Sequence, residues 1–139
     1  MIRTTWAVDR ERLRAVRHTV FVIEQHVEES EEWDDADSEC SHVLALSGDQ
    51  EPIGTGRLDP KGKIGRMAVL AAWRGRDIGK RIMETLLGIA RDQGFKRVYL
   101  NSQIAARGFY EQFGFVAVGE PFTEANILHV RMERETLDG

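Results

Sequence analysis

Cysteine is nearly absent. Cys40 stands alone among 139 residues, so no internal disulfide can form, and a reducing, cytoplasmic setting is expected. No activating pattern surrounds Cys40, which reads as a small filler residue rather than a nucleophile. Long apolar runs are also missing. None approaches the ~20 residues needed to span a bilayer, and MIRTTWAVDR lacks the apolar core of a secretory leader, so no membrane partner is expected. Positive charge does not prevail either: 19 Lys and Arg face 23 Asp and Glu, a net charge of −4, which argues against nucleic acid as a partner. There is no repeat, linker or low-complexity segment. Glu24, His42 and His129 could in principle gather around zinc, but they lack any ligand-spacing signature, so no metal is expected.

What is present is the composition of an ordinary globular protein, 42% hydrophobic and 30% charged, long enough to bury a core as a single domain over residues 1–139. Its charge is uneven. From Glu28 to Glu39, eight of twelve residues are acidic. Such a run is either a solvated loop or an entrance that concentrates a cationic substrate. Trp33 within it either caps a cationic amine through its ring face or anchors the loop to the body.

Residues 2–8 read as a strand, and Asp9 can cap a helix carrying Leu13, Val16, Val20 and Ile23 that stops near Gln25. SHVLALSG, PIGTGRLDP and KIGRMAVLA read as three strands joined by short turns, an antiparallel meander. A helix follows with Ile78, Ile82, Leu86 and Ala90 on one face, closed by Gly94. KRVYLN reads as a strand, IAARGFYEQFG as a short helix, and FVAVGE and ILHVRMER as two last strands. The expected fold is α/β: a mixed, mostly antiparallel twisted sheet flanked by helices, with a βαβ unit near its middle.

The stretch WRGRDIGKRI, at the start of the second helix, combines two glycines with four basic residues. Three residues separate Gly75 from Gly79 and Arg81 follows Lys80, so a triphosphate P-loop, with four residues and a Ser or Thr at those places, is excluded. The dinucleotide pattern G-x-G-x-x-G is absent. Free N–H groups, the positive end of a helix dipole and a glycine that admits close approach suit a pyrophosphate. The same basic residues could equally be a solvated face.

The ordered series GRMAVL, WRGRDIGKRIM, YLNSQ and GFYEQFGF resembles the GNAT superfamily of acyl-CoA-dependent N-acetyltransferases. The wider frame, VFVIEQ to GTGRLDP to GEPFTEANILHVRM, is similar to its ElaA-like branch, over nearly the whole chain. The resemblance implies acetyl transfer from acetyl-CoA to an amine, cationic in character, by direct attack in a ternary complex. It implies that Met67, Ala68 and Val69 offer backbone groups to the pantetheine arm and thioester. The loop Arg74, Gly75, Arg76, Asp77, Ile78, Gly79 and Lys80 would wrap the pyrophosphate. Asn101 would lie where the sheet splays, with Phe109 and Tyr110 beside the sulfur. The pattern Q/R-x-x-G-x-G/A is met at Arg74 and Gly79, while Asp77 stands where its first glycine is expected. Ala105, Asn126 and Leu128 also depart from the residues common in that branch, which implies an altered acceptor pocket. Homodimers are common in the superfamily, although no stretch here declares an interface.

The reaction needs a deprotonated amine, and an aliphatic amine of pKa ~10.4 is mostly charged at neutral pH. Tyr110 can protonate the departing sulfur or simply pack on Phe109. Glu24 is an ordinary exposed carboxylate by pattern, but the family frame places it toward the acceptor, as first candidate for the base. His42 and His129 are strand histidines, suited either to a hydrogen-bonded core or, at pKa ~6.5, to proton transfer. Their family positions, like those of Gln103 and Glu124, favour the acceptor pocket. A coenzyme-binding sensor or interaction module without turnover is the alternative.

Overall fold

The computed structural model describes residues 1–27 and 36–136. The acidic run therefore lies outside the described residues except at its end, and so does Trp33. Strand β1 is only Ile2–Thr4, and helix α1 spans Trp6–Arg17. Asp9 does not cap it. Thr5 does, with extended backbone and its hydroxyl accepting from the Val8 N–H at 3.4 Å. Asp9 sits inside the helix at a break (φ −122°, ψ 23°), where it accepts from the Thr4 hydroxyl and, at 3.0 Å, from Arg12 Nε.

Beyond Arg17 the helix widens into a π-helical segment, His18–Glu24. The Gln25 N–H closes it on the Val20 carbonyl at 3.0 Å, a five-residue span that turns the end of the element relative to an α-helix. A 3₁₀ turn, Asp37–Glu39, then leads into the meander of β2 (Ser41–Leu46), β3 (Pro52–Leu58) and β4 (Lys63–Val69). Helix α2 (Ile78–Asp92) crosses to β5 (Arg97–Gln103), and a 3₁₀ turn and short helix α3 (Arg107–Glu111) precede the hairpin of β6 (Val116–Glu124) and β7 (Ile127–Glu135). Among the described residues, seven strands form one sheet in the order β1-β2-β3-β4-β5-β7-β6. Its pairs are antiparallel except β4 with β5, as the βαβ unit requires.

Helix α2 buries Ile82, Met83, Leu86, Ile89 and Ala90 against Val43, Ala45, Ile53, Leu58, Val98 and Leu100 of the sheet. Glycines on β3 let it come close: a Cβ on Gly56 would stand 2.7 Å from Ile82 Cγ2 and 2.8 Å from Leu86 Cδ1. Gly94, at φ +82°, ends the helix. From the other face, Val16 of α1 and Val20 pack with Ala68. Here Arg17, Asp37 and Arg57 form a buried cluster, Asp37 Oδ1 accepting from Arg17 Nη1 at 2.8 Å and from Arg57 Nη1 at 2.9 Å.

Two irregularities shape the middle of the sheet. Opposite β3, the β4 residues Arg66 and Met67 share the place of one partner, Gly56, with Arg66 at φ +51°. This bulge is held by the Thr55 hydroxyl donating to the Arg66 carbonyl at 3.0 Å. On its other side, β4 pairs with β5 only through Lys63–Tyr99 and Ile64–Leu100. From Gly65 onward the two strands part. At the sheet's far edge β6 is exposed along most of its length, and its pairing with β7 is interrupted between Val118 and Phe122.

Candidate active site

The parting of β4 and β5 opens a cleft of about 470 Å³. One wall is β4 itself, from Lys63 to Met67, and the facing wall is Leu100, Asn101 and Gln103 of β5. Glu124, Ala125, Ile127 and His129 of the β6–β7 hairpin border it, with Phe21, Gln25 and Val27 after α1 and with Ala106 and Tyr110 around α3. Six of the residues expected from the sequence thus meet in one place: Met67, Asn101, Gln103, Tyr110, Glu124 and His129.

Tyr110 packs edge-on against Phe109 and Phe115, at centroid distances of 5.2 and 6.3 Å. Burial pushes its phenol up to about 12, so the hydroxyl keeps its proton throughout the neutral range. His129 stacks on Phe122 at 6.0 Å, and its Nδ1 lies 2.7 Å from the Ile127 carbonyl. A carbonyl only accepts, so Nδ1 carries the hydrogen, and the neutral ring presents its lone pair at Nε2. Gln103 Nε2 donates to Gln25 Oε1 at 2.9 Å, joining β5 to the end of the π-helical segment across the cleft.

Two expected pocket residues are elsewhere. His42 lies buried on β2, 5.6 Å from the Trp6 ring, with Nε2 2.9 Å from the Asp37 carbonyl. Burial is the main cause holding its pKa below the ordinary value, and nearby Arg17 and Arg57 act in the same direction. It is a core histidine and does not line the cleft. Glu24 does not line it either. Both its oxygens are taken by Arg74, with Arg74 Nη2 donating to Oε2 at 2.9 Å, and the hydrogen bond from Arg74 holds its carboxyl below the ordinary range. A carboxylate so engaged is a poor proton acceptor, which corrects its expected place as the base.

The glycine loop runs from the end of β4 into α2, at the open end of the cleft. Arg74 Nε donates to the Val69 carbonyl at 3.0 Å, so Val69 C=O is occupied within the chain, while Ala68 is buried toward α1. Arg76 lies over the Trp73 ring at 4.9 Å. Gly75 has φ +80° with open space around a would-be Cβ. Asp77 adopts the left-handed conformation (φ 62°, ψ 17°) and caps nothing with its side chain. That backbone explains why glycine suits the position: Asp reaches it at some cost, and most other residues would be strained. The Arg81 N–H is bonded to the Asp77 carbonyl at 3.1 Å, and the amides of Ile78, Gly79 and Lys80 precede the helical ladder. Phe109 belongs to this side, its Cζ 3.5 Å from where a Cβ on Gly79 would be.

The sequence reading missed Phe21, Gln25, Val27, Lys63 and Arg66. Gln25 follows Glu24 in the family frame and could have been noticed. Lys63 and Arg66 line the cleft from β4, the first where the strand still pairs with β5 and the second at the bulge.

A mixed sheet that splits beside a parallel strand, with a glycine-containing helix start at the opening, is the architecture of acyl-CoA N-acyltransferases. The chain belongs to the GNAT acetyltransferase family: residues 9–136 match the family described as "Acetyltransferase (GNAT) domain". It is similar to YyaT of Bacillus subtilis (strain 168), at 34% identity over 96% of this chain and 93% of that protein. The structure of an acyl-CoA N-acyltransferase from Pseudomonas aeruginosa superposes with a TM-score of 0.85 at 30% identity, over 96% of this chain and 97% of the other. Escherichia coli ElaA is 34% identical over 90% of this chain and 86% of its own length, and its crystal structure gives a TM-score of 0.82 over 91% and 90% of the two chains.

Proposed function

We propose that the chain moves an acetyl group from acetyl-CoA to an amine by direct attack, with both substrates held at once in the cytoplasm. One observation carries this reading: β4 and β5 part after two paired residues, opening a cleft that contains Tyr110 and His129, and the uncapped start of α2 follows the end of β4. The coenzyme would supply an activated acyl thioester. The residues fit it. The Gly65–Met67 edge of β4 has no strand partner on the β5 side, and open space adjoins Gly75.

In this reading the backbone from Gly75 to Lys80 and the Lys80 ammonium hold the pyrophosphate, with Arg74 and Arg76 shaping the loop. Met67 and Asn101 flank the pantetheine arm from the two parted strands, and Phe109 supports the sulfur end. His129 takes the amine proton at Nε2. A backbone N–H of the Met67–Val69 edge donates to the carbonyl oxygen as charge builds on it. Tyr110 gives its hydroxyl proton to the leaving sulfur. Gln103, Gln25 and Glu124 contact the acceptor.

The test begins with calorimetry on acetyl-CoA, desulfo-coenzyme A and ATP·Mg, followed by thiol release in the presence of amines. Preference for the coenzyme A ligands and amine-dependent thiol release are expected. Binding of ATP·Mg in preference to the coenzyme would sink the reading. Coenzyme binding with no amine turned over would leave a binding module.

A further inference from the structure

We infer that Phe122 is a positioning residue for the transfer: it holds the His129 ring so that Nε2 faces the acceptor, and the break in β6 is what sets it there. The inference rests on the reading of His129 as the base and adds the device that aims it.

His129 stands on β7 level with Gln103 of β5 on one side and with Phe122 of β6 on the other. Residues level with one another in antiparallel ladders share a face of the sheet. Gln103 lines the cleft and is itself held by Gln25. Phe122 does not line it. It closes the row on the side away from β5, its ring stacked on the imidazole with 6.0 Å between centroids and 20° between planes. The Ile127 carbonyl accepts from Nδ1 at 2.7 Å. A single hydrogen bond fixes the tautomer but leaves the imidazole free to swing about it, and an aromatic ring laid against its face takes that freedom away.

A regular ladder would not bring Phe122 to this place. Val118 is level with Arg131 and Phe122 with His129, so three residues of β6, Gly119, Glu120 and Pro121, lie against one of β7, Val130. Without the two extra residues the ladder from Val118 would set Glu120 opposite His129. A carboxylate there only accepts, and would contend with the Ile127 carbonyl for the hydrogen of the ring. The bulge, turned at Gly119 with φ +77°, puts in its place a side chain that can only stack. Phe122 is 36% exposed, so replacing it disturbs His129 before it disturbs the core.

The experiment uses the full chain, the single variants Phe122→Leu, Phe122→Tyr and His129→Gln, and the double variant Phe122→Leu with His129→Gln. Thiol release from saturating acetyl-CoA is followed with the fastest-used member of a panel of aliphatic, aromatic and amino-acid-derived primary amines. Phe122→Leu should lower kcat by about tenfold and leave KM for the amine and the melting temperature close to the parent's. Phe122→Tyr, which can still stack, should keep kcat within about twofold. In the His129→Gln background Phe122→Leu should cost nothing further, because residues that act as one unit are not additive. Nitrogen NMR of ring-labelled histidine adds a readout without turnover. The His129 signal, identified by its loss in His129→Gln, should show one tautomer, with the hydrogen on Nδ1, in the parent and in Phe122→Tyr, and a mixture in Phe122→Leu. Parent-like turnover by Phe122→Leu, an equal loss in both backgrounds, or an unmixed tautomer in Phe122→Leu would each overturn the inference. His129→Gln as fast as the parent would instead remove His129 as the base, and failure to bind acetyl-CoA in calorimetry would remove the acyl-transfer reading as a whole, and this inference with either.

Discussion

Arg74 and Glu24 stand fifty residues apart in sequence and meet as a two-point ion pair, while Arg74 Nε also holds the Val69 carbonyl. One guanidinium thus ties the glycine loop to the end of β4 and to the end of the π-helical segment. Its fork geometry allows this, where a lysine would make a single-point contact. Glu24→Gln should therefore raise KM for acetyl-CoA several-fold and leave kcat within about twofold. A kcat loss of about a hundredfold, the scale of a missing general base, would restore Glu24 to the chemistry.

Tyr110→Phe should lower kcat by about a hundredfold and leave coenzyme affinity in calorimetry unchanged. Because the phenol is pushed up to about 12, it stays protonated well beyond neutrality, and any alkaline loss of rate below that point must come from another group. A variant as fast as the parent would assign Tyr110 to packing alone.

His129→Gln should lower kcat by about a hundredfold and leave coenzyme affinity in calorimetry unchanged, if Nε2 is the acceptor proposed above. Thermal melts should be little changed, because the Gln side-chain amide can also donate to the Ile127 carbonyl. A variant as fast as the parent would exclude His129 as the base.

The buried His42 makes the fold acid-sensitive. Its native pKa lies below the reference of 6.5, mainly through burial, so below pH 6.5 the unfolded chain binds the extra proton first. Its stabilising contribution is fully present above that pH and is lost as pH falls through the window down to the native value. Asp37 favours the charged ring, and Arg17 and Arg57 oppose it. His42→Gln should flatten the decline of melting temperature between pH 6.5 and 5; an unchanged slope would place the sensitivity elsewhere.

Gly56→Ala should cost about 1–3 kcal/mol of stability, read by denaturant unfolding. Its methyl would press on Ile82 and Leu86, which are fully buried and have nowhere to retreat.

Much of this architecture is legible in the sequence because it is local. The aliphatic spacing from Ile78 to Ala90, the stop at Gly94 and the three short runs of the meander each follow from residue periodicity and turn chemistry. The glycine loop stood out because its cations and glycines precede that helix. The cleft was harder to read. His42 and His129 look alike as strand histidines, and only the register decides that one faces Trp6 and the other the cleft. Glu24 read as an unencumbered carboxylate because its partner is fifty positions away. Asp9 precedes the periodic run as a cap would, but Thr5 meets the same need one turn earlier.

The break in the outer strand has a consequence for growth of the molecule into larger assemblies. A long exposed edge would let another chain extend the sheet, copy after copy. In β6 the ladder is interrupted between Val118 and Phe122, Gly119 turns at φ +77°, and Pro121 has no N–H to offer. An incoming strand would find two short, misaligned stretches instead of one continuous template. The outer strand thereby keeps Val116, Val118 and Phe122 at the surface while denying them the backbone pairing that seeds fibres.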